Sequence, residues 1–293
     1  MSSTEDFERL ALQFRRATIL PQLPGSAIQL LKMLEQTDAT DPTLERIITS
    51  DPALAASIIR IASSAMYGSN KVTTIRRAML RIGERSIKSL ALSLAMQSMT
   101  HSVAKSSRFD PHRFSRHSLF VGMMASALHA RMETTKGNLD WASEELLAIG
   151  ILHDLHFGIL ARIAPETYAK AVSLAIDNGL PLDCSVEIVL GKPAHELAIL
   201  MFETWGLPEI FLEATRALYD HPEDERDIKS SGALIAAQNL AKADFAIESW
   251  QLASTGNLAT NWPLPPQDEL DATVQVVRNE AEAFLQTTLA VAI

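Results

Sequence analysis

Three Asp-Pro pairs, at Asp41-Pro42, Asp51-Pro52 and Asp110-Pro111, are each followed by apolar residues at a helical period. An aspartate before a first turn accepts bonds from its unpaired amides, and a proline at the first helical position loses no hydrogen bond. Each pair therefore predicts a helix start. Ala27 to Leu34, Leu44 to Thr49 and Ala53 to Ser64 read as short amphipathic helices, with Leu30, Leu31 and Leu34 forming one buried stripe. The pattern continues from Thr74 to Ile82, stops at Gly83, read as a C′ glycine, and resumes from Glu84 to about Met99. Only 12 Gly and 13 Pro interrupt 293 residues dominated by strong helix formers, so the expected fold class is all-α.

The polar stretch HSVAKSSRFDP, residues 101–111, predicts a junction, dividing the chain into 1–105 and 106–293. Beyond it helices are expected from Pro111 to Arg131 and, after a Gly137-Asn138 turn, along an apolar run through Leu152. Others follow at Pro165 to Asn178, Pro181 to Leu190, Pro193 to Trp205, Pro208 to Tyr219, Ser231 to Ala246 and Gln267 to Leu289. DHPEDERDIKSS, residues 220–231, reads as an exposed acidic loop.

A hydrophobic fraction of 47% supplies a sizeable core. The net charge of -9 argues against general affinity for nucleic acid or anionic membrane, and neither is an expected partner. The single cysteine, Cys184, has no intramolecular partner and reads as an inert thiol. The N-terminus is polar, and the richest apolar stretch, Leu146 to Ala164, is broken by His153, Asp154, His156 and Arg162, so no membrane span and a cytoplasmic location are expected.

Residues 71–88 concentrate Lys71, Arg76, Arg77, Arg81, Arg85 and Lys88 against a single Glu84. A DNA-reading helix-turn-helix needs an exposed second helix. Here that helix is LALSLAMQSM, which forms core, so a solvated face is favoured. Docking of an acidic protein or a phosphate-bearing ligand by Arg76, Arg77, Arg81 and Arg85 stays open.

The chemically loaded stretch is GILHDLHFG, residues 150–158, where His153 and Asp154 end an apolar helix. Imidazole and carboxylate together suit a borderline cation. His117, His195 and His221 each lie near the end of a separate helical segment, as a metal site centred in a bundle requires. With eight histidines in the chain, each taken alone also fits a structural cap; His101, His112 and His129 are left with that reading. Asp154 in an apolar run needs a partner if buried.

These residues resemble the HDOD family, the HD-related output domain of bacterial signalling proteins. The resemblance is carried by LPQLP at 20–24, SDPAL at 50–54, Tyr67-Gly68, the IG at 82–83, RHSLFVG, ILHDLHFGIL, HELAILMFETWGLP and the YDHPED segment, over roughly residues 18–245. It implies an N-terminal helical bundle packed against a degenerate HD-domain-like helical bundle. Carried over residue by residue, it places His117 at the first ligand histidine, His153 and Asp154 on the HD pair, and His195 and His221 on downstream histidines of the cyclic-dinucleotide-cleaving branch. The closing aspartate is replaced by Gln238 in LIAAQNLA, with Asp244 on a different face of that helix. The phosphate-holding lysine is replaced by Phe157, and Asp220 stands where a histidine would. Metal-assisted phosphoester hydrolysis needs both an activated water and a positive group at the phosphate, and these losses weaken both. His156, one turn from His153, is a candidate replacement ligand.

The resemblance thus implies a non-catalytic regulator or scaffold that binds a signalling partner or a nucleotide or cyclic-dinucleotide ligand, linked to motility or biofilm. No cofactor is expected under this reading. The alternative is a residual metal-dependent phosphohydrolase, with a divalent cation at His117, His153, Asp154, His195 and His221.

Overall fold

The computed structural model describes residues 7–12, 21–34, 41–64, 67–68, 71–102, 108–136, 141–219, 230–244 and 262–291, and all regular structure among them is helical. After a short helical turn at 7–12, the N-terminal helices are α1 (Gly25–Leu34), α2 (Asp41–Thr49), α3 (Pro52–Ala62), α4 (Ile75–Ile82) and α5 (Glu84–Gln97). Asp51 caps α3 as its position before Pro52 predicts, its Oδ1 accepting from the Leu54 amide at 3.1 Å. Thr74 does the same for α4 through the Arg77 amide at 3.2 Å. Leu30 and Met33 are the buried face of α1; the side chains of Leu31 and Leu34 lie outside the described residues.

Gly83 ends α4 and begins α5. Its amide donates to Met79 O at 2.9 Å and its carbonyl accepts from the Ile87 amide at 3.0 Å. Its φ of 93° is glycine territory, while its ψ of 147° is extended, so it turns the chain rather than closing a left-handed cap.

The following helices are α6 (Pro111–Lys136), α7 (Ser143–Leu152), α8 (Leu155–Ile163), α9 (Pro165–Asn178), α10 (Leu182–Leu190), α11 (Ala194–Trp205), α12 (Glu209–Tyr219), α13 (Ser230–Asp244) and α14 (Gln267–Val291). Asp110 opens α6 by accepting from the His112 and Arg113 amides at 2.9 and 3.2 Å. Two features differ from the sequence expectation. A 3₁₀ turn spans Ser98–Ser102 with Met99 and Thr100 buried, so the polar junction begins later than its composition suggests. The apolar run past Leu152 forms a separate helix, α8, because Asp154 at φ -106°, ψ 11° breaks the helical path without any glycine or proline to announce it. The Gly137-Asn138 turn and the acidic loop at 220–229 lie outside the described residues.

Buried apolar side chains form one contiguous cluster running from Phe7 to Ala281. Helix α5 packs on α1 and on α7, and α14 packs on α6 and α3. Ser93 Oγ donates to Ala148 O at 3.0 Å, tying α5 to α7 inside that core. Each fully buried Leu or Phe in such a core stabilises it by about 2 kcal/mol relative to exposure. The span Glu145–Ile163 is apolar and long enough by composition to cross a membrane, yet 89% of it is buried in the protein's own core.

Candidate metal centre

Helices α6 and α7 meet main chain to main chain. A Cβ added at Gly150 would lie 2.3 Å from Gly122 Cα, and one at Gly122 would lie 2.5 Å from Leu147 O. Only glycines permit that approach. The crossing sets His117, five residues before Gly122, beside His153, three residues after Gly150.

Their Nε2 atoms stand 3.3 Å apart. Asp154 Oδ2 completes the group, 3.4 Å from His117 Nε2 and 3.0 Å from His153 Nε2. All three side chains are buried. Donors bound to one cation at about 2.1 Å and separated by about 90° to 109° lie roughly 3.0 to 3.4 Å apart, so the spacing fits a shared divalent ion. His153 Nδ1 lies 2.7 Å from Gly150 O, and a carbonyl only accepts, so Nδ1 carries the proton. That leaves Nε2 as the nitrogen facing the other two donors, the arrangement that orients metal-binding histidines. Burial alone would raise the Asp154 carboxyl, but the charge and hydrogen bonds of His153 and His117 outweigh it and hold it well below the usual range. These three residues could therefore hold a divalent metal, which would supply Lewis acidity or a structural cross-link.

Tyr219, at the end of α12, donates to Asp154 Oδ1 at 3.4 Å. Burial and the neighbouring Asp154 charge raise its phenol well above normal, so it stays a donor. His195 is half-buried at the start of α11 and stacks on Tyr219 at 4.9 Å; it borders the triad through that ring and is not part of the converging set. His221, Asp220 and the side chain of Asp244 lie outside the described residues.

His156 is fully buried in the first turn of α8, and its ring makes no well-formed hydrogen bond, with only the His153 backbone near enough to act on it as an acceptor. Leaving a polar group buried in that way costs about 1–3 kcal/mol. Burial, foremost, pushes its pKa down to about 4; the Asp154 charge and the His153 backbone oppose this, and the neighbouring His153 and His195 rings add to it. The ring packs on Phe157 at 4.0 Å and meets the Tyr219 ring edge-on at 6.5 Å. Phe157 is itself buried, so an apolar ring occupies the position where the resemblance expects a lysine. Gln238 is buried on α13, which packs along α6, and its Oε1 has no hydrogen-bond partner.

Among the four arginines, Arg76 and Arg77 are exposed on α4. Arg81 instead donates to Ala62 O at 3.0 Å and Gly68 O at 3.3 Å, a structural role that removes it from the outward-facing set. The side chain of Arg85 lies outside the described residues. His129, read as structural, is so: Ser143 Oγ lies 2.9 Å from its Nδ1 and Ser230 Oγ 3.0 Å from its Nε2, with Trp262 stacked on the ring. Sequence reasoning missed Tyr219 and the Gly122–Gly150 contact. The YDHPED segment singled out Tyr219's neighbourhood, whereas a glycine inside a helical run signals nothing about which backbone it touches.

Residues 20–221 match the HDOD domain. The chain belongs to the HDOD domain family. Its fold is shared with a Shewanella amazonensis SB2B protein provisionally named a metal-dependent phosphohydrolase, at TM-score 0.68 and 18% identity, covering 96% of this chain and 99% of that one. A Marinobacter aquaeolei VT8 protein provisionally named a signal transduction protein gives TM-score 0.68 at 19% identity, covering 98% of this chain and 66% of its own. An HDOD domain protein of unknown function from Geobacter sulfurreducens gives 0.62 at 15%, covering 97% and 93%. At these identities the likeness establishes the fold alone. An uncharacterised protein of Treponema pallidum (strain Nichols) is 20% identical over 266 residues, 90% of this HDOD chain and 50% of its own length, so the chain spans about half of that curated relative.

Proposed function

We propose that this HDOD protein is a non-catalytic bacterial signalling regulator whose HD-like half, residues 106–293, is a metal- or ligand-responsive platform and whose N-terminal half, residues 1–105, docks a signalling partner. The observation that carries this reading is a pair of uncharged side chains at the positions where the resemblance expects charges. Phe157 buries a phenyl ring against His156 in place of the phosphate-holding lysine, and buried Gln238 stands in place of the closing aspartate. Phosphoryl chemistry depends on such charges at the developing transition state. The free, exposed Cys184 thiol suits the reducing cytoplasm.

The docking face is α4, where exposed Arg76 and Arg77 flank Leu80, 80% exposed. Two cations around an apolar anchor complement an acidic partner segment bearing one hydrophobic side chain. The upstream signal in this reading is a nucleotide or cyclic dinucleotide, with output to motility or biofilm, supported by the HD-type ancestry of the site.

Purified protein loaded with manganese, iron or zinc is expected to bind one ion that His153→Ala loses, and to leave cyclic and linear dinucleotides uncleaved. Metal-dependent turnover abolished by His153→Ala would favour a residual phosphohydrolase, the second reading, which the spacing of His117, His153 and Asp154 supports.

A further inference from the structure

We propose that Tyr219 is the positioning residue of the cation site, holding one oxygen of Asp154 so that the other alone faces the ion, and that His195 serves the site by stacking on Tyr219 and not as a ligand. The inference rests on the metal-binding part of the proposed function and goes beyond it by naming the two side chains that set the ion's carboxylate.

The two oxygens of Asp154 are divided between neighbours. Oδ2 lies 3.0 Å from His153 Nε2 and 3.4 Å from His117 Nε2. Oδ1 accepts from the Tyr219 hydroxyl at 3.4 Å. Asp154 stands at the N-cap position of α8, yet its side chain makes no capping bond, so the carboxylate is not spent on the helix. Toward a carboxylate a phenol can only donate, and a donor at Oδ1 keeps that oxygen turned from a cation bound at Oδ2.

The Tyr219 ring is itself held. His195, at the start of α11, stacks on it with centroids 4.9 Å apart and planes at 18°, and His156 meets it edge-on at 6.5 Å. Stacked and edge-on contacts of this kind fix the plane of a ring. Neither His195 nor His156 gives an atom to the set of donors that converge within 4.8 Å. What His195 supplies is therefore a flat aromatic face in the wall of the site. The stack also ties α11 and α12 to an ion held by α6 and the turn after α7.

Cobalt(II) alone tests both halves of the proposal, on the full chain carrying Cys184→Ser to remove the exposed thiol. Tyr219→Phe is expected to keep the urea midpoint of the metal-free protein and to lower cobalt affinity about tenfold. Its visible bands should weaken as the released Oδ1 joins the ion and raises the coordination number. His195→Phe, which keeps a flat ring and removes the nitrogens, should bind cobalt as the parent does, whereas His195→Ala should fall toward Tyr219→Phe. Parental affinity in Tyr219→Phe, or a loss of affinity with the bands unchanged, would overturn the positioning role. A loss in His195→Phe as complete as that in His153→Ala would make His195 a ligand. Should Tyr219→Phe not fold, the two His195 variants still decide, because equal losses in both mean that the ring stack carries nothing. If the parent binds no cobalt, zinc or manganese at all, the metal reading itself fails and this assignment fails with it.

Discussion

The N-terminal helices and those from α6 to α13 bury different things. Among the described residues, α1 to α5 and the 3₁₀ turn enclose apolar side chains with only the small hydroxyls of Ser57, Ser93 and Thr100, while α6 to α13 enclose His117, His129, His153, Asp154, His156, Asp183 and Gln238. The polarity of the first region faces outward, as Arg76 and Arg77 around Leu80. Buried polar groups are tolerated only when bonded or when a ligand completes them. One region thus keeps its charges at the surface, and the other takes polar groups into its core.

The comparison breaks most sharply at the helix crossing. Gly150→Ala puts a Cβ 2.3 Å from Gly122 Cα, and with main chain on both sides the helices must separate. The expected cost is about 3 kcal/mol or more in urea unfolding, accompanied by loss of metal binding as His117 and His153 part. Unchanged stability would mean that the crossing does not hold the donors.

Acid sharpens the contrast next. In metal-free protein His156 has its pKa lowered to about 4. The unfolded chain takes up a proton near pH 6.5 that the native state refuses, so stability is complete above that pH and declines as pH falls toward 4. The loss approaches about 3 kcal/mol at pH 4, read from denaturation midpoints with chelator present, and His156→Leu should flatten that slope.

In the N-terminal region, Asp51→Ala removes the α3 cap and one acceptor for Ser26 Oγ, at an expected cost of about 1 kcal/mol in the same assay. Smallest of all, the triple change Arg76→Glu, Arg77→Glu, Leu80→Ser should shift stability by no more than about 0.5 kcal/mol while abolishing partner capture from a native-cell extract. A large loss of stability there would show that α4 serves the fold more than a partner.

Legibility in the sequence follows the same division. Helix starts in both regions are local chemistry, and Asp51, Thr74 and Asp110 cap as their residue types predict. His153 and Asp154 were visible because a charged pair interrupts an apolar run. What was not legible depends on which helix faces which. The restart at α8 carries no glycine or proline, Tyr219 meets Asp154 from 65 positions away, and Arg81 turns from the surface to the Ala62 and Gly68 carbonyls. Of the histidines, His195 lies behind Tyr219, a placement no spacing rule supplies.

The contact of Gly122 with Gly150 has one more consequence. Because main chain sets the gap between His117 and His153, that gap is insensitive to what occupies positions 157 and 238. Side chains at those two positions can change one at a time while a gap of cation size persists. Geometry of this kind is carried by the backbone and not by the charges around it, so the place for an ion and the use made of it can vary independently.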